Sequence, residues 1–344
     1  MQRNASDRTG ATVGSGTRTE PTAIAFLLVP RFSMIAFASA IEPLRLANRA
    51  AGRPLYAWRL HSVDGLPVAA SSDIAVSVDG TYSASKGAGV AIVCAGIDVE
   101  AHAHRELIAA LRRLGSFGAS LGAVCTGTYV LAKAGLLDGY QSTIHWENHP
   151  SLLAEFPHLD VTQELFEIDR NRLTCAGGTA AVDMMLSMIA RDHGSALAAE
   201  VTDQLIHHRI READERQRMD LRSRLGVAHP KLLAVVARME ATIDAPLSCA
   251  ALAAEAKVSA RQLERLFGKH LAMSPTRYYL GLRLDRARQL LRQTSQSVLS
   301  VAMTCGFVSA SHFSKSYSER FGHTPSAERA PDQTRGRKPV TGRD

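Results

Sequence analysis

LSCAALAAEAKVSARQLERLFGKHLAMSP (Leu247–Pro275) and QSVLSVAMTCGFVSASHFSKSYSERFGHTP (Gln296–Pro325) carry the same pattern twice. Each holds an apolar helix, a tight turn and a second helix opened by a serine, Ser259 in one and Ser309 in the other. A serine hydroxyl there accepts an orphan backbone N–H, so these residues mark helix starts. Between the two units, Pro275 to Gln293 reads as one long amphipathic helix. Two helix-turn-helix units on one rigid connector can enter successive major grooves on one face of DNA, about 34 Å apart. The stretch implies an all-α double helix-turn-helix module that binds DNA, with the rest of the chain as its controller.

Within the first unit Leu252 and Ala253 face inward, Lys257–Val258 turn, and Leu263, Leu266 and Phe267 have core spacing. Arg261, Glu264 and Arg265 fall on the opposite face, since residues three and four apart are neighbours on a helix. Arginine suits guanine O6/N7 and phosphate. Glu264 can accept from a cytosine amine or orient Arg261. In the second unit Val298, Val301, Ala302, Cys305, Phe307, Phe313 and Tyr317 form the core, and Gly306 permits the turn. Ala310, Ser311, Ser314 and Lys315 are left outside. Short side chains there let the helix approach base edges, with Lys315 on phosphate. Arg283, Arg286, Arg288 and Arg292 are expected to ring the outside of the connecting helix, about half of them merely solvated.

Charge separates the two halves. Residues 226 to 344 hold 18 Lys and Arg against 9 Asp and Glu, while the remainder holds 22 against 24. A basic carboxy-terminal module on a near-neutral body suggests a polyanion partner for that module alone. The five cysteines (Cys94, Cys125, Cys175, Cys249 and Cys305) are odd in number and lack CxxC spacing. That argues against a disulfide framework and a thiolate metal site, so no metal or cofactor is expected. No apolar run approaches about 18 residues, so no membrane partner is expected and the cytoplasm is the expected location. Residues 1–20 and 330–344 are polar and expected to be disordered tails.

The body, expected over residues 21–210, alternates strands and helices. TAIAFLLV (Thr22–Val29) and VAIVCAG (Val90–Gly96) are continuous apolar runs, as in strands buried on both faces. YAWRLHSV (Tyr56–Val63) and DIAVSVDG (Asp73–Gly80) alternate like strands. Helical periodicity covers Phe32 to Ala50, Val99 to Leu114 and Thr179 to Arg191, with a further helix to about Arg209. Val161 to Cys175 reads as two short strands about a turn at Asp169–Asn171. This order implies an α/β, flavodoxin-like sandwich with a mainly parallel sheet, whose ligands gather at the carboxyl ends of the strands. READERQRMDLRSRLG (Arg211–Gly226) is dense in mixed charge and is expected to be a solvated linker, over 211–228, to a DNA-binding domain over 229–329.

SLGAVC runs into GTYVLAKAGLLDG, which puts Cys125 where a strand becomes a helix. A helix N-terminus lowers a thiol pKa, and Glu42 on an early helix can hydrogen-bond the thiol. With His145 in STIHWENHP these residues can make a nucleophilic site. A buried cysteine, a surface histidine and a solvated glutamate would look the same.

VSARQLERLF, ARQLL and SVLSVAMTCGFVSASHFSKSYSERFGHTP closely resemble the AraC/XylS family of transcriptional regulators over about Leu247 to Pro325. FLLVPRFSMIAFASAIEPLRLAN and GAVCTGTYVLAKAGLLDG resemble the ThiJ/PfpI, class I glutamine amidotransferase-like superfamily over about Thr22 to Arg209. The combination is that of the GlxA-type branch, and its wording looks most like the regulators of glycine betaine and carnitine catabolism. The resemblance implies promoter DNA and RNA polymerase as partners, a homodimer through the sheet domain, and an effector that is a small nitrogenous metabolite. Glycine betaine, dimethylglycine or carnitine is favoured, with arginine as a further candidate. Hydrolytic members carry a histidine directly after the elbow cysteine; Thr126 stands there instead. The pocket therefore reads as one that kept its shape and lost turnover. Trp146 and Phe32 are expected to cover a quaternary ammonium, Glu147 or Glu42 to supply charge, and the helix start near Thr126 to seat a carboxylate. Two rivals stay open: a thiol-dependent hydrolase or glyoxalase-like enzyme fused to a DNA-binding module, and a constitutive DNA-binding protein whose body only dimerises.

Overall fold

The computed structural model describes residues 20–329. Glu20 apart, the tails expected over 1–20 and 330–344 lie outside the described residues. β1 (Thr22–Leu28) alternates between two cores: Ile24, Phe26 and Leu28 enter one, while Ala25 and Leu27 enter the other. A strand covered on both faces has no polar face to show, which is why its sequence is continuously apolar. α1 (Met34–Ala50) is N-capped by Ser33, whose Oγ accepts from the Ala36 N–H. β2 (Tyr56–Ser62) then runs parallel to β1.

The expected strand over Asp73–Gly80 is not formed as one piece. β3 (Val68–Ala69) and β4 (Ala75–Val76) make a small antiparallel ribbon, and β5 (Gly80–Thr81) pairs with β2 at the sheet edge. Ile74 is 58% exposed, but Val76 and Val78 are half-buried against the core, so the alternation marks a partly covered face rather than one continuous strand. β6 (Val90–Cys94) follows. The helix expected over Val99–Leu114 is broken by Ala103 and His104 into α2 (Val99–His102) and α3 (Arg105–Ser116).

Next come β7 (Ser120–Val124), α4 (Gly127–Lys133), β8 (Gln141–Thr143), α5 (His149–Glu155) and β9 (Asp160–Thr162), the last paired with β8. β10 (Phe166–Asp169) and β11 (Arg172–Cys175) form an antiparallel hairpin, with Arg170 at φ 54 in the turn. α6 (Ala180–His193) and α7 (Ser195–Gln204) complete the body.

The seven-stranded sheet has the order β10-β11-β7-β6-β1-β2-β5 and is parallel except for β10. Residues of α1, α6 and α7 pack on one face and those of α3 and α4 on the other. This is a flavodoxin-like α/β sandwich, and it brings the loops after β7 and β11 together at the carboxyl ends of neighbouring strands.

The rest is helical: α8 (Leu221–Leu225), α9 (Pro230–Ala241), α10 (Cys249–Glu255), α11 (Ala260–Leu271), α12 (Pro275–Gln293), α13 (Val298–Thr304) and α14 (Ala310–Phe321). One core joins Leu232, Val235, Val236 and Met239 of α9 to Leu252, Leu263, Phe267 and Tyr279. A second joins Leu284, Ala287, Leu290 and Leu291 of α12 to Val301, Cys305, Phe307, Phe313 and Tyr317. α12 spans both, so the two helix-turn-helix units share a single spine.

The arginines of α12 are not simply solvated. Arg283 donates from Nε and Nη2 to the carbonyls of Cys305 and Gly306, both at 2.8 Å, and lies over the Phe307 ring. It thereby satisfies the turn that Gly306, at φ 72, makes possible. Arg288 and Arg292 pair with Glu328, whose side chain is 3% exposed, and burial lowers the pKa of Arg286. Helical spacing alone placed these side chains outside, but each is long enough to fold back onto its neighbours.

Candidate functional site

Two solvent-facing helices, α11 and α14, carry the residues expected to read DNA. α11 begins with a capping box: Ser259 Oγ accepts from the Gln262 N–H (3.2 Å), and Gln262 Oε1 accepts from the Ser259 N–H (2.8 Å). Leu263 and Phe267 anchor the inner face, while Arg261, Glu264 and Arg265 are exposed on the outer one. α14 is capped by Ser309, whose Oγ accepts from the His312 N–H. Phe313 and Tyr317 hold it inward. Ala310, Ser311 and Lys315 are exposed, Ser314 is half-buried, and Lys315 pairs loosely with Glu319 at 4.0 Å.

In the body, the strand-to-helix elbow is sharp. Cys125 has φ 60, a left-handed conformation rare outside glycine. Two glycines make the geometry possible. A β-carbon on Gly127 would fall 2.5 Å from the Val93 carbonyl oxygen, so α4 can start against β6 only because that carbon is missing. Gly177, at φ +88, closes over the elbow from the β11 side. The Cys125 N–H donates to the Cys175 carbonyl at 3.1 Å, and the His145 N–H donates to the Cys125 carbonyl at 3.4 Å.

The thiol is not activated. Burial pushes the Cys125 pKa up to about 11 against the modest help of the Thr126 N–H, and the Glu147 carboxylate pushes the same way. The helix dipole expected to lower it belongs to a seven-residue helix and loses to desolvation. Glu42 does not hydrogen-bond the thiol: its carboxylate accepts from Arg45 at 2.6 and 2.8 Å, one turn along α1. Phe32 is fully buried, edge-on to Phe37 at 5.6 Å, and so presents no face to a ligand. Thr126 is 4% exposed and donates its hydroxyl to the Gly96 carbonyl at 2.6 Å, so the hydroxyl is committed to the fold.

His145, Trp146 and Glu147 remain together beside the elbow, each half-buried. The His145 ring stacks at a tilt on Trp146, with centroids 5.6 Å apart. His145 Nδ1 accepts from the Glu147 N–H at 3.4 Å and lies 3.9 Å from the Glu147 carboxylate. Burial lowers the His145 pKa more than that carboxylate raises it, so the ring stays neutral near pH 7.

A profile of the DJ-1/PfpI family matches residues 23–191, and a helix-turn-helix domain profile matches residues 252–330. The HTH-type transcriptional regulator GbdR of Pseudomonas aeruginosa (strain UCBPP-PA14) is 48% identical over 309 residues, covering 90% of this chain and 84% of that protein. The chain belongs to this family of HTH-type transcriptional regulators. The HTH-type transcriptional regulator CdhR of P. aeruginosa is also 48% identical, over 305 residues covering 89% of this chain and 90% of that one. For the fold of the body, a solved THiJ/PfpI family protein from Pseudomonas syringae aligns with TM-score 0.50 at 21% identity, over 68% of this chain and 93% of that one.

This regulator is a DNA-binding protein and not an enzyme. No helix among the described residues is long and apolar enough to cross a membrane.

Sequence reasoning missed a second set of residues beside Trp146. The linker segment after Ile210 is not free in solvent. Arg211 clamps the fully buried Asp183 carboxylate through Nε (3.0 Å), Nη2 (2.7 Å) and its backbone N–H (2.7 Å), and His207 Nε2 lies 3.0 Å from the same carboxylate. Further along, Arg218 lies over the Trp146 ring. The one available signal was Asp183 itself, a carboxylate on an otherwise apolar helix face, which demands a cation. Nothing in the sequence says that the cation comes from the linker.

Proposed function

We propose that this regulator is an activator whose body binds a small nitrogenous metabolite and thereby sets the activity of the DNA module. Glycine betaine, dimethylglycine or carnitine is the favoured effector, with arginine as the further candidate. The observation that carries the reading is the half-buried Trp146, flanked by Glu147 and the neutral His145, at the carboxyl end of the sheet. An indole face beside a carboxylate attracts organic cations, and the sheet's carboxyl edge is where this architecture gathers ligands. We assign the sensing role to residues 21–210, the connection to 211–228 and DNA binding to 229–329.

On the DNA side, Arg261, Glu264 and Arg265 of α11 reach base edges from the cap at Ser259. Ala310, Ser311 and Ser314 of α14 approach the second groove, with Lys315 on phosphate. RNA polymerase contact, a homodimer through the sheet domain and a cytoplasmic location belong to the same proposal and are carried over from the family resemblance.

A thermal-shift series with glycine betaine, dimethylglycine, carnitine and arginine tests the sensing role. A ligand at a hundred times its Kd stabilises the protein by about 2.7 kcal/mol, a shift of several degrees. The same ligand is expected to change promoter binding in a mobility-shift titration. Flat melting curves with all four compounds would leave the body as a dimerisation scaffold only.

A further inference from the structure

Between body and DNA module the chain runs as a strap that is pinned repeatedly to the body. The Leu165 N–H donates to the Ala213 carbonyl at 2.9 Å, and Glu164 and Arg216 form an antiparallel bridge. Gln217 Nε2 lies 3.0 Å from Thr143 Oγ1, 3.0 Å from the Ile144 carbonyl and 2.8 Å from the Glu164 carbonyl. The last pin is Arg218, whose guanidinium carbon is 4.2 Å from the centroid of the Trp146 ring. Arg218 feels Arg224 and Glu240 from the DNA-module side and Glu147 from the body. Two residues on, Asp220 caps α8, whose Leu221 and Leu225 pack on the core of the DNA module. The stacking on Trp146 is therefore the final strap contact before that module begins.

We infer that Arg218 is a built-in ligand for the Trp146 face, that a small organic cation bearing an ammonium or guanidinium group takes its place, and that this exchange releases the strap leading into the DNA module, which Ser151 and Gln293 still join to the body at 2.9 Å. The inference rests on the sensing role proposed above and specifies its ligand class and its output. Arg218 is exposed while it stacks, so it can be exchanged without opening a core. A neutral competitor gains nothing from the ring quadrupole that holds the guanidinium, and an anion meets Glu147. The strap is also imperfectly seated: Gln217 Oε1 is buried with no hydrogen-bond partner among the described residues, and undocking returns it to water. A strap whose last contact before the module is one exposed stacked cation, and which buries one unsatisfied oxygen, is poised for a ligand that binds only the released state.

The test uses full-length protein and two readouts. The first is calorimetric titration of wild type and Arg218→Ala with glycine betaine, carnitine and arginine. At least one compound is expected to bind wild type, and to bind the variant about 3- to 10-fold more tightly, because the tethered competitor is gone. The second is the rate of tryptic cleavage at Arg211 and Arg216. It is expected to rise several-fold in Arg218→Ala without any ligand, and in wild type when the binding cation is added. The carbon isostere of glycine betaine, 3,3-dimethylbutanoate, is expected to leave that rate unchanged. Trp146→Leu is expected to lose cation binding and show the fast cleavage. Equal affinity in wild type and Arg218→Ala, or release of the strap by the isostere, would overturn the exchange while leaving the sensing role intact. Failure of all three cations to bind either protein would overturn both.

Discussion

A β-carbon placed on Gly177 would lie 2.6 Å from the Cys125 β-carbon and 2.8 Å from its α-carbon. The glycine closes over the strand-to-helix elbow at φ +88, where an alanine is strained even in open space. Gly177→Ala is therefore expected to destabilise the body by about 2–4 kcal/mol, from overpacking plus backbone strain. Denaturant unfolding followed at the tryptophans measures this, and a change within 0.5 kcal/mol would show that the elbow yields at little cost.

Burial holds the Cys125 thiol at a pKa of about 11. Only the thiolate reacts with alkylating agents, so its labelling by iodoacetamide should be slow at pH 7.5 and rise close to tenfold per pH unit until about pH 11. Peptide mass spectrometry follows this residue by residue. Fast labelling at neutral pH would mean that the cysteine is activated after all. Cys125→Ala is expected to bind promoter DNA as wild type does.

Glu328 ties the end of the second helix-turn-helix unit to α12. Its carboxylate accepts from the Tyr317 hydroxyl at 2.7 Å and pairs with Arg288, Arg292 and His323. Burial alone would raise its pKa, but the hydrogen bonds from Tyr317, His323, Arg288 and Arg292 outweigh it and hold the value at about 2. A carboxylate whose folded pKa is depressed stabilises the fold fully above its unfolded pKa and progressively less as pH falls toward the folded value. This stabilisation is thus intact at neutral pH and fades from about pH 4.5 toward pH 2. Glu328→Gln is expected to cost about 3 kcal/mol at pH 7 and much less at pH 3, by chemical denaturation at each pH. Equal losses at both would point to a shape effect.

Direct reading of bases by α11 is separable from simple attraction to phosphate. Arg261→Ala and Arg265→Ala should each lose about 1–3 kcal/mol on the operator while changing little on random duplex. Lys315→Ala should weaken both DNAs alike and reduce the slope of log affinity against log salt by about one. Uniform weakening by the arginine variants would reassign those side chains to the backbone.

Legibility followed the physics of burial. TAIAFLLV could be read as a doubly covered strand because burial on both faces leaves no room for a polar residue. Ser259 and Ser309 could be read as caps because a cap is a local bargain between one side chain and its own turn. The segment Asp73–Gly80 alternates because Val76 and Val78 rest on the core, but β4 and β5 pair with different strands, so the pattern does not mark one continuous strand. α9 escaped the sequence reading, although Leu232, Val235, Val236 and Met239 have helical spacing; it lay beyond the charge-rich stretch taken for the linker. At the ligand site, His145 to Glu147 were visible as residue types, but Glu42 was assigned to Cys125 although Arg45, three residues on, takes its carboxylate. The strap was illegible because its partners, Trp146 and Asp183, are far away along the chain, and a mixed-charge segment looks solvated until those partners are known.

The unbroken α12 also constrains how this molecule can change. Nineteen residues make a rod about 28 Å long, and each added residue would swing everything beyond it by about 100°. A single insertion would thus aim one reading head away from the duplex while the other stayed in register. On the two-groove binding proposed above, operators for such a protein would drift in base sequence far more easily than in the distance between their halves.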